Sequence, residues 1–248
     1  MGRLKGKRAL ITGGSSGIGL ETTRQFVAEG ARVAITAHNP EAFELARQEF
    51  GEAVLYIASD AGDAPDQKNV AERIKNDFGA LDILFINAGV TRLKPLEQWD
   101  EDAWDRSFQT NVRGPYFLIQ ALLPVFSNPA SVILNASINA HIGMPNTSVY
   151  GATKAALLSL TRTLSGELIP RGIRVNAISP GPIATPLYSK LGLSATDLPA
   201  TSQALQSQIP ARRFGKPGEI ASAVVFLASD ESVFTVGSEL VIDGGLSL

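Results

Sequence analysis

The chain of 248 residues contains no cysteine. This absence excludes disulfides, thiol nucleophiles and metal sites built from thiolates. Only two histidines, His38 and His141, are present, and they lie far apart in the sequence. Zinc sites in proteins are built mainly from His and Cys ligands, so the composition also argues against a zinc enzyme. The sequence therefore predicts no metal centre.

The charged residues show no excess of one sign. The 22 Lys and Arg against 24 Asp and Glu leave a formal net charge of −2, and the basic residues form no run of five or more. Nucleic acids and other polyanions attract proteins through concentrated positive charge, which this chain lacks. No nucleic-acid partner is therefore expected.

Long apolar runs are also missing. The longest mostly apolar stretch, "YFLIQALLPVF" at 116–126, is about half as long as a membrane-spanning helix, which requires ~20 residues. The first residues, "MGRLKGKRALITGG", reach glycine too early to form the apolar segment of a secretory signal. The sequence therefore predicts no membrane association, and the expected location is cytoplasmic.

Short apolar runs alternate with longer amphipathic stretches along the whole chain. The runs predict seven strands, "RALIT", "ARVAIT", "AVLYIA", "LDILFINAG", "ASVILNAS", "GIRVNAISPG" and "SELVID". Helices are predicted between them at about 18–30, 40–50, 63–79, 99–126, 148–168 and 218–229. Continuously apolar strands are typical of a parallel sheet with helices on both faces. The sequence thus predicts an α/β fold, a single-domain Rossmann-like doubly wound sheet over residues 1–248.

A glycine-rich turn, "TGGSSGIG" at Thr12–Gly19, lies between the first predicted strand and the first predicted helix. Side chains are nearly absent here, so the backbone can turn sharply and a phosphate can approach the helix N-terminus. The spacing is not the G-x-G-x-x-G of many dinucleotide-binding proteins. The position between a strand and a helix is nevertheless the context that such a phosphate-binding turn needs.

A phenol and an ammonium group stand four residues apart at the start of a predicted helix, in the stretch "YGATK" at Tyr150–Lys154. Residues at i and i+4 lie on the same helical face, so these two side chains can share one small volume. The spacing alone leaves open whether the pairing is catalytic or only structural.

At these motifs the chain resembles the short-chain dehydrogenases/reductases. "TGGSSGIG" matches the family's T-G-x-x-x-G-x-G turn, Asn87–Gly89 matches its N-A-G element, and "ISPGPIATPL" and "ELVIDGG" match later signatures. Asn111, Ser137, Tyr150 and Lys154 stand where the family keeps its catalytic residues. The motifs occur in the right order and cover essentially the whole chain, which makes the resemblance specific.

The resemblance implies hydride transfer between a nicotinamide and a carbonyl carbon. Tyr150 is then expected to be the general acid in reduction and the general base in oxidation. A free phenol has a pKa of roughly 10, and the positive charges of Lys154 and of an oxidised nicotinamide are expected to lower it. Ser137 is expected to donate a hydrogen bond to the substrate oxygen. Asn111 is expected to hold a water that connects Lys154 to solvent.

The resemblance also assigns a cofactor-binding set, in which Asp60 matches the position that touches the adenine. The expected contacts are Gly13, Ser15, Ser16, Gly17, Ile18, Gly19, His38, Asn39, Asp60, Asn87, Ala88, Gly89, Tyr150, Lys154, Pro180, Gly181, Ile183 and Thr185.

The choice between the two nicotinamide dinucleotides depends on the end of the second strand. Ala37 stands where NAD-using relatives generally carry Asp, so no carboxylate is placed to repel a 2′-phosphate. In many NADPH-using relatives the position that matches Ser16 or His38 is Arg, and here neither residue is Arg or Lys. His38 and Asn39 offer donors to a phosphate, and Thr36 could assist. NADP(H) is therefore favoured, and NAD(H) stays open.

The family places a substrate lid at about 183–210, where this chain has few charged residues. Such a lid would exclude water from the reacting carbonyl. The expected substrate-pocket residues are Ser137, Asn139, Met144, Tyr150 and Tyr188, with Val90 and His141 as further wall positions but no catalytic part for His141. Two positions depart from the family pattern: Ile86 replaces the first Asn of N-N-A-G, and Asn139 stands where small residues are common.

The favoured interpretation is a carbonyl reductase or alcohol dehydrogenase that acts on a fairly apolar ketone and its secondary alcohol. One alternative is a 3-oxoacyl thioester ketoreductase, which would need a basic patch for an acidic carrier protein; Arg113, Arg162 and Arg171 are too dispersed in the sequence to indicate one. A second alternative is a non-catalytic NAD(P)-binding regulator. The resemblance further implies a homotetramer, with long helices at about 99–126 and 148–168 between subunits.

Overall fold

The computed structural model describes residues 2–185 and 197–248, and for 197–202 it describes the backbone alone. The described residues form one sheet of seven strands in the order β3-β2-β1-β4-β5-β6-β7, and every pairing is parallel. The strands are β1 (Arg8–Thr12), β2 (Arg32–Ala37), β3 (Val54–Ala58), β4 (Leu81–Ile86), β5 (Phe126–Asn135), β6 (Ile173–Pro180) and β7 (Glu239–Ile242). The predicted doubly wound α/β sheet is therefore confirmed.

Helices cover both faces of the sheet. They are α1 (Gly17–Ala28), α2 (Glu44–Phe50), α3 (Ala64–Phe78), α4 (Glu101–Phe108), α5 (Gly114–Leu122), α6 (Ser148–Leu168), α7 (Asp197–Gln208) and α8 (Pro217–Ala228). One buried cluster joins the sheet to α1, α2 and α8, and a second joins it to α3, α5 and α6. Successive side chains of β1 point to opposite faces of the sheet, so Ile11 belongs to the first cluster and Leu10 to the second. This alternation explains why strands buried on both faces are continuously apolar.

The helix predicted over 99–126 is shorter and interrupted. It consists of α4, a π-helical turn at Gln109–Arg113 and α5, and the chain already enters β5 at Phe126. Pro124 explains the early end of α5, because a proline has no backbone N–H to donate to the helical carbonyl four residues earlier. Gly114 lies against the Ala61 carbonyl, where a Cβ would come within 1.7 Å of the oxygen. The predicted boundary at Phe126 was therefore wrong.

The strand order reverses direction between β1 and β4, which leaves a crevice at the carboxyl ends of these two strands. The glycine-rich turn follows β1 and the Asn87–Gly89 element follows β4, so both border this crevice. Helix α7 occupies part of the range 183–210 that the sequence assigns to a lid, and residues 186–196 lie outside the described part of the chain. None of the helices in the described ranges combines the length and apolarity needed to cross a bilayer.

Candidate active site

A cleft of about 630 Å³ opens at the carboxyl edge of the sheet. It brings together residues from the ends of several strands and from the start of α6. The expected site residues that line it are Gly13, Ser15, Ser16, Gly17, Ile18, His38, Asp60, Asn87, Ala88, Gly89, Ser137, Tyr150, Lys154, Pro180, Gly181, Ile183 and Thr185. The glycine-rich turn and the tyrosine–lysine pair therefore border the same space.

The glycine-rich turn exposes the N-terminus of α1 to this cleft. Gly13 has a positive φ of 64°, and a Cβ on Gly19 would lie 2.1 Å from the Gly13 carbonyl oxygen, so both positions require glycine. Ser16 precedes α1, and its side chain does not cap the helix. The first turn of α1 contains no acidic residue. The backbone N–H groups and the positive helix end thus remain available to an anion such as a diphosphate.

Hydrogen bonds between polar side chains lock the strand ends together. The Thr12 hydroxyl oxygen accepts from the backbone N–H groups of Asn87 and Ala88, both at 2.9 Å. The Asn87 amide donates to the Thr12 and Gly13 carbonyl oxygens at 3.1 and 3.2 Å. It in turn accepts from Nδ2 of Asn135 at 3.0 Å. A continuous hydrogen-bonded path therefore links the glycine-rich turn to the end of β5.

Lys154 completes this path. Its residue is 5% exposed, and Nζ donates to the Asn135 carbonyl oxygen at 2.6 Å. Nζ lies 5.6 Å from the centre of the Tyr150 ring. Burial lowers the pKa of Lys154 to about 8. Within the described part of the chain, no carboxylate lies within 4.0 Å of this ammonium group.

Tyr150 behaves differently from the expectation that Lys154 would lower its pKa. Burial raises the pKa of the phenol, and hydrogen bonds with Ser137 and Thr91 only partly oppose this effect. Burial disfavours the phenolate of Tyr150, and it likewise disfavours the charged form of Lys154. In the protein alone, Tyr150 is thus a protonated hydrogen donor at neutral pH, and it needs a further positive charge nearby to act as a base.

Ser137 lies two residues beyond β5 and is 6% exposed. Its Oγ accepts from the backbone N–H of Asn139 at 3.2 Å and donates to Asn139 Oδ1 at 3.2 Å. Tyr150 borders the same cleft as Ser137, and its interaction with the serine hydroxyl lowers the pKa of the phenol. Asn139 therefore fixes the Ser137 hydroxyl in the cleft that Tyr150 also lines.

Asn111 lies in the π-helical turn and is 1% exposed. Its Oδ1 accepts from the Val90 N–H at 2.8 Å, and Nδ2 donates to the Val90 carbonyl at 2.9 Å and to the Thr153 hydroxyl at 3.1 Å. The side chain therefore holds the loop after β4 against α6. A role for Asn111 in binding a water next to Lys154 stays a prediction.

An ion pair that the sequence did not reveal lies at the far end of the cleft. Asp60 Oδ1 accepts from the Gly62 N–H at 2.8 Å, and Oδ2 accepts from Arg106 Nη2 at 2.5 Å. His38 Nδ1 lies 3.8 Å from the same Oδ2. Burial raises the pKa of Asp60, but Arg106, the Gly62 N–H and His38 together bring it below its ordinary value. Asp60 is therefore a fixed carboxylate on the wall of the cleft.

Substitution of Arg106 by leucine tests whether this ion pair orients the cofactor end of the cleft. We expect the KM for either dinucleotide to rise about tenfold, because a hydrogen bond to a charged group contributes about 1.5–3 kcal/mol. We expect kcat to change little, because Arg106 and Asp60 lie at the other end of the cleft from Tyr150. Steady-state kinetics with varied cofactor measures the effect. Arg73→Leu, which breaks an exposed ion pair with Asp77 on α3, is the matched control. An unchanged cofactor KM in Arg106→Leu would show that the pair does not orient bound dinucleotide.

Some expected site residues do not line the cleft in the described structure. Gly19 packs beneath the glycine-rich turn, and Asn39 accepts from the Ala42 N–H at 3.0 Å and so caps a 3₁₀ turn at Pro40–Phe43. Asn139 and Met144 lie outside the lining, although Asn139 contacts Ser137. Tyr188 falls among the residues that the structure leaves undescribed.

His141 lies outside the cleft as well. Its Nε2 lies 2.6 Å from Glu239 Oε1 at the start of β7. Among the described residues, no group of three or more His, Asp and Glu is placed to hold a metal ion.

Sequence reasoning missed several lining residues. They include Thr91, Arg92, Arg106, Thr110, Asn135 and Ala136. Asn135 carried a usable signal, because a polar residue at the carboxyl end of a buried strand faces the same crevice as Ser137. Arg106 carried none, because its contact with Asp60 depends on where α4 crosses the end of β3.

The chain is similar to known proteins over nearly its whole length. A family model described as enoyl-(acyl carrier protein) reductase matches residues 13–247. The 3-oxoacyl-(acyl-carrier-protein) reductase FabG of Thermotoga maritima is 37% identical over 250 residues, covering 98% of this chain and 99% of the relative. The glucose and ribitol dehydrogenase of Daucus carota is 38% identical over 254 residues, covering 98% and 86%. Ligand-free aldohexose dehydrogenase of Thermoplasma acidophilum matches with a TM-score of 0.89 and 31% identity, covering 99% and 96%.

These matches span nearly the whole chain and confirm the resemblance drawn from its motifs. Relatives with this fold are named dehydrogenases and reductases, and the family binds a nicotinamide dinucleotide. The chain belongs to the short-chain dehydrogenase/reductase family and is an oxidoreductase that acts on CH–OH groups.

Proposed function

We propose that this protein interconverts a ketone and a secondary alcohol with NADP(H), using Tyr150 as the general acid and base. The observation that carries the proposal is the shared cleft, where Ser137, Tyr150 and Lys154 border the same space as the glycine-rich turn. A site that joins a proton donor, a hydroxyl dipole and an anion-binding helix end has the parts that carbonyl reduction requires.

The residues of the chain have distinct parts in this reaction. The glycine-rich turn would hold the diphosphate of a nicotinamide dinucleotide, which would supply the hydride to the carbonyl carbon or accept it from the alcohol carbon. Ser137 donates a hydrogen bond to the substrate oxygen and stabilises its developing negative charge. Tyr150 delivers its phenolic proton to that oxygen in reduction, and its raised pKa keeps this proton in place until then. In oxidation Tyr150 removes the proton from the alcohol as a phenolate, which the positive charges of Lys154 and of an oxidised nicotinamide together would stabilise.

The first experiment is an assay of the purified protein with a panel of ketones and secondary alcohols, using NADPH and NADH in parallel. Apolar ketones are expected to be the better substrates, because the range 183–210 contains few charged residues. Reduction of at least one ketone that depends on NADPH supports the proposal. Cofactor binding without turnover of any substrate would favour a non-catalytic NAD(P)-binding regulator instead.

A second candidate function is the reduction of 3-oxoacyl thioesters. The similarity to a FabG and the match to an acyl-carrier-protein reductase family model favour it. Acetoacetyl thioesters included in the panel separate the two functions. A kcat/KM for the carrier-bound thioester far above that for any free ketone would make this the preferred assignment.

The preference for NADP(H) depends on the absence of a carboxylate at the end of β2. Ala37 is buried and lines the cleft, and the His38 side chain beside it is 72% exposed and can reach a ligand. A 2′-phosphate here would meet no negative side chain from β2 and a potential donor in His38. The expected kcat/KM is therefore higher with NADPH than with NADH.

Two substitutions test this assignment. His38→Arg is expected to raise kcat/KM for NADPH about tenfold, because a guanidinium adds a charged hydrogen bond to phosphate. Ala37→Asp is expected to reverse the preference toward NADH through repulsion of the phosphate. Glu41→Ala, on the exposed turn nearby, serves as a control for charge changes in the same region. A wild-type preference for NADH would refute the NADP(H) assignment and leave the reaction untouched.

We also infer that the protein assembles into homotetramers. Helices α4 and α5 expose three large aromatic residues, Trp104, Tyr116 and Phe117, at 44%, 40% and 36%. Exposed aromatic side chains are enriched at association sites. Light scattering with size-exclusion chromatography gives the mass in solution, and a monomeric mass would refute this inference.

A further inference from the structure

The Ser137 hydroxyl has one proton, and in this structure Asn139 receives it. Ser137 Oγ donates to Asn139 Oδ1 at 3.2 Å while it accepts from the Asn139 backbone N–H. The proton therefore points toward Asn139 and away from the position of a substrate oxygen beside Tyr150. A serine held in this way is a poor donor to the reacting group.

The other end of the Asn139 amide lacks a partner. Nδ2 is buried and makes no hydrogen bond to any residue that the structure describes. A rotation of the amide by half a turn would place Nδ2 beside Ser137 Oγ at nearly the same cost in space, because the oxygen and nitrogen of the amide are similar in size. Oγ would then accept two hydrogen bonds from Asn139, one from each N–H donor, and its own proton would be released.

The released proton has one direction in which to point. Ser137 and Tyr150 line the cleft whereas Asn139 does not, so the released proton would turn into the cleft, toward the phenol and the substrate oxygen next to it. We propose that Asn139 is a positioning residue that sets the direction of the Ser137 hydroxyl: its oxygen holds the proton back in the free protein, and its nitrogen releases the proton toward the substrate oxygen during the reaction. This inference rests on the proposed function of Ser137.

Asn139 acts through Ser137 and not by touching the substrate. It does not line the cleft, and the 3₁₀ turn at Ile138–Ala140 is already capped by the backbone hydrogen bond from Asn139 N–H to Ser137 Oγ. That cap needs no particular side chain at position 139. The carboxamide is therefore free to serve the orientation of the hydroxyl.

Asn139→Asp is the discriminating variant. The carboxylate has nearly the same shape as the amide but can only accept, so it would hold the Ser137 proton back permanently. We expect kcat to fall about a hundredfold, as for the loss of an oxyanion donor, with KM changed less than threefold. Asn139→Ala, which neither holds nor directs the proton, is expected to lose only about tenfold.

The pH dependence of Asn139→Asp gives a further readout. Protonation of the introduced carboxylate at low pH restores a donor beside Ser137 Oγ, so the deficit in kcat relative to the parent should shrink as the pH falls. Measurement of kcat for the variant and the parent across one pH series tests this. A deficit that stays constant down to the lowest pH at which both proteins remain folded would contradict the proposal.

The controls separate orientation of the hydroxyl from added charge. Asn146→Asp adds the same charge on the same loop, at an exposed residue whose positive φ aspartate tolerates. Among the described ionisable residues, Glu239 on β7 pairs with His141 of this loop, and Lys94 contacts the loop through the hydrogen bond from its backbone N–H to the Asn146 carbonyl. In a Ser137→Ala background, Asn139→Asp should cost no more than Asn146→Asp does. An equal loss with and without Ser137 would overturn the proposal.

A second measurement does not need turnover. Phenolate absorbance is titrated in the parent and in Asn139→Asp, and the same titration with Tyr150→Phe isolates the signal of Tyr150. When the phenolate forms in Asn146→Asp, the Asn139 amide can turn and release the Ser137 proton to it, whereas the carboxylate of Asn139→Asp has no donor to present. Tyr150 should therefore titrate at higher pH in Asn139→Asp than in Asn146→Asp. Equal titration in both variants would overturn the proposal. A shifted titration in a protein without any turnover would support the orientation by Asn139 and refute the proposed function alone.

Discussion

Replacement of Tyr150 by phenylalanine is expected to reduce kcat by ~10²–10⁴-fold, the usual contribution of general acid–base catalysis. The variant loses the proton donor and keeps the aromatic ring. Tyr150 is the phenol whose hydroxyl meets Ser137 in the cleft, and burial keeps it protonated at neutral pH. Tyr150 is also the only phenol among the described residues that line the cleft.

The measurement for Tyr150→Phe combines steady-state turnover with the dissociation constant of the dinucleotide from calorimetric titration. Binding should weaken only a few-fold, since the anion-binding end of α1 lies elsewhere in the cleft. Tyr56→Phe is a matched control, because it removes a hydroxyl that bonds the Ala46 and Gly51 carbonyls away from the cleft. Turnover within a few-fold of the parent in Tyr150→Phe would refute the assigned acid and base.

Replacement of Lys154 by methionine is expected to abolish turnover and at the same time to stabilise the cofactor-free protein at pH 7. The difference between an ordinary lysine pKa of 10.5 and about 8 corresponds to about 3 kcal/mol of unfavourable burial of the charged form. The variant also loses the hydrogen bond to the Asn135 carbonyl. This loss cancels about 1–3 kcal/mol of the stability gained by removing the buried charge. A net gain of about 1 kcal/mol in the free energy of unfolding is expected.

The pH dependence gives the sharper test of Lys154. Between pH 8 and 10.5 the unfolded chain still binds the lysine proton while the folded protein has released it, so the parent gains stability as the pH rises. The slope approaches about 1.4 kcal/mol per pH unit for one proton. Tyr150, whose pKa is raised, contributes the opposite slope above about pH 10. The useful window is therefore pH 8 to about 10.

Urea unfolding of the parent and of Lys154→Met across this window measures the slope. The advantage of the variant at pH 7 should shrink steadily as the pH rises, because only the parent releases a buried lysine proton. Lys68→Met, at an exposed residue on α3, should run parallel to the parent. Parallel curves for the parent and Lys154→Met would show that the ammonium group is not destabilised by burial.

The amino-acid sequence by itself determined the fold class and the approximate place of the chemistry. Continuous apolar runs separated by amphipathic stretches require a parallel sheet with two covered faces, and the observed order of seven strands follows that rule. Parallel strands end at one edge, so motifs that follow strands had to meet there. Tyr150 and Lys154 are one helical turn apart, and local geometry alone brings them together.

Only the tertiary structure decided the electrostatics and the long-range partners. Arg106 meets Asp60 because α4 crosses the end of β3, and Asn135 joins Asn87 to Lys154 because β4 and β5 are neighbours in the sheet. The pKa of Tyr150 rises although a lysine stands beside it, since burial depends on every element that closes the cleft. Burial and contacts between distant segments depend on how the sheet and its two helical layers pack together. They cannot be predicted from the spacing of residues along the chain.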